Sequence, residues 1–162
     1  MNQGYARPAV WSDIAPIAAT MRPNDISEVQ AASGSTPEGA LTEGLLTTLF
    51  GGKALTICLP DGTPVGMMGV THSGQADVGV IWMLASEGLA TIQRQFIRES
   101  RKYIDEITRG YRVVFNYSDA RNELHHRWLQ WTGFTIINRH EEWGRERRPF
   151  LEFCKITETS YV

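Results

Sequence analysis

The chain has 162 residues, with 16 Lys and Arg against 18 Asp and Glu, a formal net charge of -2 and two cysteines. This length fits one domain over residues 1–162, whose apolar residues and tryptophans suffice for a buried core without metal or disulfide support. The balanced charge argues against nucleic acid as the main partner, and no apolar run reaches the roughly 20 residues of a membrane span. We therefore expect a soluble protein of a cytosol, or one packaged from it.

Neither the cysteines nor the histidines predict a metal site. Cys58 and Cys154 lie in apolar runs typical of strands, without the spacing of a metal knuckle or the number of a disulfide scaffold. We expect both to be buried, reduced thiols. His125 and His126 are adjacent, and neighbouring side chains on a helix point about 100° apart. One is expected to pack and the other to be exposed.

The first third of the chain predicts a strand and two helices. Residues 14–21 are apolar and form the expected strand, which ends where Pro23 blocks its continuation. A helix over residues 26–32 follows. A second helix begins at Pro37, where the first turn tolerates proline, and ends near Phe50.

The middle of the chain predicts a β-hairpin. Residues 54–59 and 65–70 are apolar runs on either side of a tight Asp-Gly turn. A further strand is expected over residues 78–84. The long helix after it has an apolar stripe and a basic face, and it ends at Gly110.

The last third predicts a strand, a helix and a closing pair of strands, at residues 112–117, 121–131, 135–137 and 150–156. The segment 139–149 mixes both charge signs and is predicted to be an exposed loop or a hairpin tip between the last two strands. Its Trp143 is expected either to anchor a protein contact or to fold back. The order β-α-α-β-β-β-α-β-α-β-β predicts a mixed α/β sheet in a single domain, with helices on both faces.

The segment from Tyr111 to Ile136 runs in the order strand, asparagine-bearing turn, amphipathic helix, Gly-Phe corner and strand. With Asn122 at the start of the helix and Gly133-Phe134 at its end, this segment resembles the C-terminal half of the GNAT superfamily of N-acetyltransferases. The element order of the whole chain is also the order found in that superfamily. The resemblance implies a GNAT-like fold and, in an active member, acetyl-CoA as the cofactor.

Scattered residues are also similar to a GNAT-like family encoded by tailed bacteriophages and related to their internal virion protein A. The matching pieces span most of the chain and are Met21–Asp25 with Glu28, Trp82–Leu84, Phe96 with Arg98, Ser100-Arg101, Asn116–Asn122, Arg127–Leu129 and Gly133-Phe134. This resemblance implies phage or host proteins as partners and allows a homo-oligomer. It also implies a location in the host cytoplasm, the virion or both.

The superfamily resemblance places a cofactor at the end of the strand over 78–84 and the start of the next helix, where backbone N–H groups and the helix dipole favour a diphosphate. The residues that would contact acetyl-CoA are Trp82, Met83, Leu84, Ser86, Gly88 and Asn122. The loop 85–90 holds one glycine and no basic residue. Glu87 falls where the diphosphate is expected, so the loop predicts weak binding of the cofactor.

Several of these residues have structural alternatives. Asn122 can cap its helix through the side chain, a role that Asp119 could share. Trp82 can belong to the core, as tryptophans in apolar strands commonly do. The polar segment 116–118 can line the cleft or form a turn between strand and helix.

The catalytic residues of the superfamily are not found. The tyrosine that protonates the departing thiolate lies five residues before the phenylalanine of the Gly-Phe corner, and that position is Leu129 here. Neither Tyr103 nor Tyr117 is an obvious substitute, and the strand over 78–84 carries no carboxylate that could act as a base. The absence of a Gly-x-Ser-x-Gly motif argues against serine-hydrolase chemistry.

Three functions follow from these observations. The favoured one is a phage protein that keeps the GNAT fold and acts by binding proteins, in virion assembly or on a host target, without a cofactor. The alternative is an acetyl-CoA-dependent N-acetyltransferase with an atypical diphosphate loop. The third is a domain that binds another acyl or nucleotide ligand in the same cleft. Fold alone does not distinguish them.

Overall fold

The computed structural model describes residues 3–157. Its strands are Tyr5–Pro8 (β1), Gly52–Cys58 (β2), Pro64–His72 (β3), Val78–Ala85 (β4), Val113–Asp119 (β5), Thr135–Trp143 (β6) and Arg148–Ile156 (β7). Its α-helices are Ile14–Ala19 (α1), Pro23–Ala32 (α2), Pro37–Thr48 (α3), Gln93–Thr108 (α4) and Glu123–Trp131 (α5). Short 3-10 helices, Trp11–Asp13 and Glu87–Ile92, precede α1 and α4. Within residues 3–157, no helix has both the length and the apolar character needed to cross a membrane.

The strands form one sheet in the order β1-β2-β3-β4-β5-β7-β6. Every neighbouring pair is antiparallel except β4 and β5, which run parallel. A parallel pair needs a crossover connection, and α4 supplies it on one face of the sheet. The predicted mixed α/β sheet with helices on both faces is confirmed.

The predicted hairpin is formed by β2 and β3. Gly62, with φ of 91°, occupies the left-handed region that glycine adopts without strain. The Thr63 N–H donates to Asp61 Oδ1 at 2.9 Å and the Leu59 N–H donates to the Thr63 carbonyl at 2.8 Å. These bonds fix the turn and therefore the register of the two strands.

Alternate residues of β4 serve two separate parts of the core. Ile81, Met83 and Ala85 belong to the larger cluster, which α4 and α5 cover. Trp82 and Leu84 belong to the second cluster, which α1 and α3 cover. Consecutive side chains of this strand therefore point to opposite faces of the sheet.

The predicted strand over residues 14–21 is wrong. Residues Ile14–Ala19 form α1, and the outer strand at this end of the sheet is β1. Ile14 and Ile17 are buried and lie three residues apart on one face of α1, and Met21, just beyond the helix, is also buried and pairs with Ser86. The alanines at positions 15, 18 and 19 made the segment look uniformly apolar and hid this period.

The segment 139–149 contains the predicted hairpin tip between the last two strands, and both strands extend further into the segment than predicted. β6 continues through Trp143, and the turn is confined to residues 144–147. Trp143 is half-buried, and its ring stacks on Tyr117 with 3.9 Å between the ring centroids. Backbone N–H groups of the turn donate to the last carbonyls of α2. Trp143 is therefore folded back and is not an exposed anchor.

Both cysteines are free thiols, as predicted. Cys58 is buried, and burial raises the pKa of its thiol. Cys154 is only half-buried. It lies on β7, next to the edge strand β6, and β6 is largely exposed.

Candidate ligand cavity

β4 and β5 are paired only at their amino-terminal ends. The register joins Val78–Val80 to Val113–Phe115, and Asn116 Nδ2 then donates to the carbonyl of Ile81 at 2.6 Å. Beyond this point the two strands diverge, although β4 stays paired with β3, and β5 with β7, to their ends. The divergence opens a gap within the sheet.

Helix α2 lies across this gap and binds both strands. Asp25 Oδ2 accepts a hydrogen bond from the Ala85 N–H at 2.9 Å. One turn later, Glu28 Oε1 accepts hydrogen bonds from Ser118 Oγ at 2.8 Å and from the Asp119 N–H at 2.6 Å. The two carboxylates replace backbone partners that the strand ends lost when they separated.

Asp25 is bound on both sides. Arg22 donates to Asp25 Oδ2 from Nε at 3.0 Å and from Nη2 at 2.9 Å. Burial raises the pKa of Asp25, although Arg22 and the Ala85 N–H both oppose that rise. These contacts give Asp25 a structural role at the end of β4.

Glu28 is half-buried and differs from Asp25 in its surroundings. Burial raises its pKa to about 7, against the lowering effect of the hydrogen bonds from Ser118 and the Asp119 N–H. The negative charges of Asp25 and Asp119 contribute to the rise. Among the described residues, no group donates a hydrogen bond to Oε2 and no cation pairs with this carboxylate. Glu28 therefore exchanges its proton near neutral pH.

The two adjacent histidines have different surroundings. His126 is buried, its Nε2 lies 3.2 Å from Ser118 Oγ, and burial lowers its pKa. His125 is half-buried and faces the cavity described next; burial first, then the charges of Arg22 and His126, lower its pKa to about 3. Both rings are therefore neutral at pH 7. In the part of the chain that the structure describes, no cluster of three or more His, Cys, Asp or Glu could hold a metal.

A cavity of about 590 Å³ lies between the start of α2, the end of β4, the start of α4, and α5. Its volume is in the range of small-molecule sites. The apolar side chains that line it are Met83, Leu89, Ala90, Phe96, Ile97, Leu124, Trp128 and Trp131. The polar and charged ones are Arg22, Asn24, Asp25, Glu87, Gln93, Asn122, His125 and Arg127.

The cavity brings together two of the six residues that were predicted to contact acetyl-CoA. Met83 and Asn122 line it. Trp82 and Leu84 face α1 and α3 on the opposite side of the sheet, because side chains alternate along β4. The side chains of Trp82 and Leu84 therefore point away from the cavity, and contact of either residue with a cofactor stays a prediction.

The backbone N–H groups of the loop before α4 already donate hydrogen bonds within the protein. The Glu87 N–H donates to the Thr20 carbonyl at 2.8 Å, and the Gly88 N–H donates to Ser86 Oγ at 3.2 Å. The Leu89 N–H donates to the Ser86 carbonyl at 3.2 Å. The resemblance to the superfamily implies that such donors hold a diphosphate, but here protein atoms already accept hydrogen bonds from these three N–H groups. Neither Ser86 nor Gly88 lines the cavity.

Glu87 faces the cavity. Its side chain is exposed and contributes to the lining near the start of α4. A negative charge at this position opposes an anionic group of a ligand, and its exposure to water weakens that opposition.

Asn122 does not cap α5 with its side chain, which corrects one of the two predicted alternatives. It occupies the capping position but makes no side-chain capping hydrogen bond. Asp119 stabilises the turn instead, accepting a hydrogen bond from the Arg121 N–H at 2.9 Å. Asn122 is buried, and its amide lines the cavity.

Leu129 is buried in the core and does not reach the cavity. His125, one turn earlier on α5, and Trp128 line the cavity in its place. The sequence pattern did not indicate that these two residues or Glu28 belong to a site. The helical period of α5 predicts which side of the helix is apolar. It does not predict which neighbouring helices that side faces, and this is visible only in the packing against α2 and α4.

No protein-family model matches this sequence, and no curated protein matches it. Solved structures match over nearly the whole chain. A GCN5-related N-acetyltransferase from Kribbella flavida has a TM-score of 0.67 and 17% identity, over 94% of this chain and 97% of its own. RimL, an alpha-N-protein acetyltransferase of a ribosomal protein in complex with coenzyme A, has a TM-score of 0.67 and 12% identity, over 98% and 96%. A spermidine N-acetyltransferase chimera from Vibrio cholerae has a TM-score of 0.64 and 10% identity, over 95% of each chain.

The chain has the fold of the GCN5-related N-acetyltransferases. The GNAT-like fold that the sequence predicted is thus confirmed. Identities of 10–17% establish the shared fold alone. The comparisons give no support to a phage virion family. The gap between β4 and β5 and the adjoining cavity provide room for a ligand in this fold.

Proposed function

We propose that the chain is an N-acyltransferase that takes its acyl group from a CoA thioester, acetyl-CoA in the simplest case. The observation that carries this proposal is the cavity of about 590 Å³ beside the gap between β4 and β5. Its lining is mainly apolar, with a few polar groups, as suits a flexible acyl-pantetheine arm.

The backbone of β4 supports the same placement. The Ile81 carbonyl bonds to Asn116 of β5, and the N–H and carbonyl of Ala85 bond to α2. Because strand backbone groups alternate in direction, Met83, midway between these two residues, directs its N–H and carbonyl into the gap. A pantetheine amide could pair with both groups, as a neighbouring strand would.

We expect the diphosphate of CoA to contribute less to the binding affinity than it usually does in proteins of this fold. The N–H groups of residues 87–89 are occupied, and Glu87 faces the cavity. Arg22 and Arg127 also line it and can offset part of that charge. We expect S-acetylpantetheine to bind within about tenfold of acetyl-CoA, a difference of about 1.4 kcal/mol.

A second candidate function is a protein-binding role without catalysis, in the virion or on a host protein of a tailed phage. The occupied loop and the buried Leu129 favour it, since neither a diphosphate cradle nor the usual proton donor is present at those positions. The phage source and the protein partner both rest on the sequence resemblance.

Titration calorimetry with acetyl-CoA, CoA and S-acetylpantetheine tests the proposal. We expect micromolar binding of acetyl-CoA that is lost in Ala90→Trp, which fills the cavity from its exposed rim. Thr47→Trp, at an exposed position on α3, is the matched control and should bind normally. Absence of binding by the unaltered protein would exclude the acyltransferase and leave the protein-binding role.

Turnover is then measured as free thiol released from acetyl-CoA in the presence of an amine. The amines are spermidine and a peptide with a free α-amino group, the acceptor classes that the names of two similar structures give. Binding with turnover supports an acyltransferase. Binding without turnover for either amine would instead indicate a domain that holds an acyl or nucleotide ligand without transferring its acyl group.

A further inference from the structure

We propose that Glu28 is the general base of the acyl transfer, accepting the proton of the attacking amine on Oε2. This inference rests on the proposed function and names a residue for it. Glu28 lies on α2, one turn (about 5.4 Å of helix rise) beyond Asp25, which lines the cavity. Its carboxylate stands at the carboxyl end of β5, where the gap opens.

The two carboxylate oxygens of Glu28 differ in their hydrogen bonding. Oε1 is held by Ser118 Oγ at 2.8 Å and by the Asp119 N–H at 2.6 Å, so the carboxylate has one fixed orientation. Oε2 has no hydrogen-bond partner among the described residues, and the side chain is only half-buried. A base needs one such oxygen without a hydrogen-bond partner on an otherwise immobile group.

The charges around Glu28 favour this role. Asp25 and Asp119 lie close enough to raise its pKa, and burial raises the pKa to about 7. Arg22, which precedes α2 at its N-cap position, is paired with Asp25, and Arg121 is paired with Asp119, so neither arginine neutralises Glu28 directly. His126 of α5 lies behind Ser118 and is kept neutral by burial. A base with a pKa near the working pH is the most effective one.

Glu28 lies beside the cavity, one turn of α2 beyond Asp25, and the polar groups that line the cavity suit the role less well. Asp25 is engaged by Arg22 and the Ala85 N–H through Oδ2. His125, with a pKa of about 3, accepts a proton too weakly. Glu87 is exposed at the start of the 3-10 helix that precedes α4, beyond the end of β4.

The proposed step balances without another reactant. The amine nitrogen forms a bond to the thioester carbonyl carbon, and its proton passes to Glu28 Oε2. The carbon–sulfur bond then breaks, its electron pair leaves on sulfur, and the thiolate takes a proton from water. Glu28 returns its proton to water, which agrees with the absence of a proton donor at Leu129.

The test compares Glu28→Gln with the unaltered protein. The amide oxygen of Gln can accept both hydrogen bonds that hold Oε1, so the site should keep its shape. We expect the acetyl-CoA dissociation constant, measured by calorimetry, to change less than threefold. The turnover number should fall by about 100-fold, within the usual range for a general base. In the unaltered protein the turnover number should rise with pH through about 7, and this rise should be absent in Glu28→Gln. Glu43→Gln, at an exposed position of α3, is the control.

The outcomes distinguish this inference from the proposed function. Glu28→Gln turnover that equals that of the unaltered protein, with the same pH profile, overturns the base role and leaves the acyltransferase intact. Loss of both binding and thermal stability in Glu28→Gln also overturns it, because Glu28 would then be structural. No acetyl-CoA binding or no turnover by the unaltered protein removes the proposed function and the base role together.

Discussion

Glu28 Oε1 and Ser118 Oγ are 2.8 Å apart and join helix α2 to the end of strand β5. The two residues are in direct contact although they lie 90 residues apart in the sequence. Together with the bond from Asp25 to the Ala85 N–H, it lets one helix close the open end of a sheet that has separated into two arms. Stability and the proposed chemistry therefore depend on the same carboxylate.

Replacing Glu28 should stabilise the protein at alkaline pH. The folded protein holds the Glu28 proton up to a pH of about 7, whereas the unfolded chain loses it near the ordinary value of 4.5. The unfolded state binds fewer protons across that window, so Glu28 makes stability fall as pH rises from about 4.5 to 7. Glu28→Gln removes this dependence.

We expect the unfolding free energy of Glu28→Gln to exceed that of the unaltered protein by about 1–3 kcal/mol at pH 8, with little difference at pH 4.5. Urea unfolding at the two pH values measures it. Glu43→Gln should show no such difference between the two pH values. An equal effect of Glu28→Gln at both pH values would contradict the raised pKa.

The ion pair between the half-buried Arg7 and the buried Asp13 should be a major stabilising contact. Two guanidinium nitrogens of Arg7 donate to Asp13 at 2.7 and 2.8 Å, and Thr56 Oγ1 donates at 2.7 Å. Burial alone would raise the pKa of Asp13, but these bonds and the Val10 N–H outweigh it and lower the pKa. The contribution of Asp13 is therefore present above its ordinary pKa and is lost as pH falls through the lowered value.

Asp13→Ala leaves Arg7 and Thr56 without their partner. We expect a loss of about 2–4 kcal/mol in the unfolding free energy at pH 7, measured by urea unfolding. Asp105→Ala, whose side chain is largely exposed, should change stability by less than about 0.5 kcal/mol. If both variants lost a similar amount of unfolding free energy, the loss in Asp13→Ala would come from removing a charge and not from the burial of Asp13.

Trp82 should respond to changes in the core and not to ligands. Its indole ring packs so closely on Gly69 that an added Cβ would meet Trp82 Cζ2 at 2.8 Å and the Lys53 carbonyl oxygen at 2.9 Å. We expect Gly69→Ala to destabilise the protein by about 1–3 kcal/mol, with altered tryptophan fluorescence and unchanged acetyl-CoA affinity. Gly66→Ala, on the same strand, meets neighbours only at 3.6 Å or more and should be nearly neutral.

The charge of Glu87 should matter only for ligands with phosphates. We expect Glu87→Gln to tighten acetyl-CoA binding by about two- to fivefold at low salt, because an exposed charge contributes at most about 1 kcal/mol. The gain should fade as salt rises. S-Acetylpantetheine carries no phosphate, so its affinity should not change in the same calorimetric titration. A gain for both ligands would indicate a steric effect of residue 87 instead.

The sequence by itself determined the fold class, the β2–β3 hairpin and the helices α2 to α5, because their turns, caps and apolar periods are local. It misassigned residues 14–21, since the alanines at positions 15, 18 and 19 concealed a helical period. Only the tertiary structure decided that Met83 faces the cavity and Trp82 does not, because the side of a strand that meets each helix depends on packing. The same holds for Glu28, which depends on Ser118 and Asp119, far along the chain. Its burial and its raised pKa exist only once α2 lies across the gap.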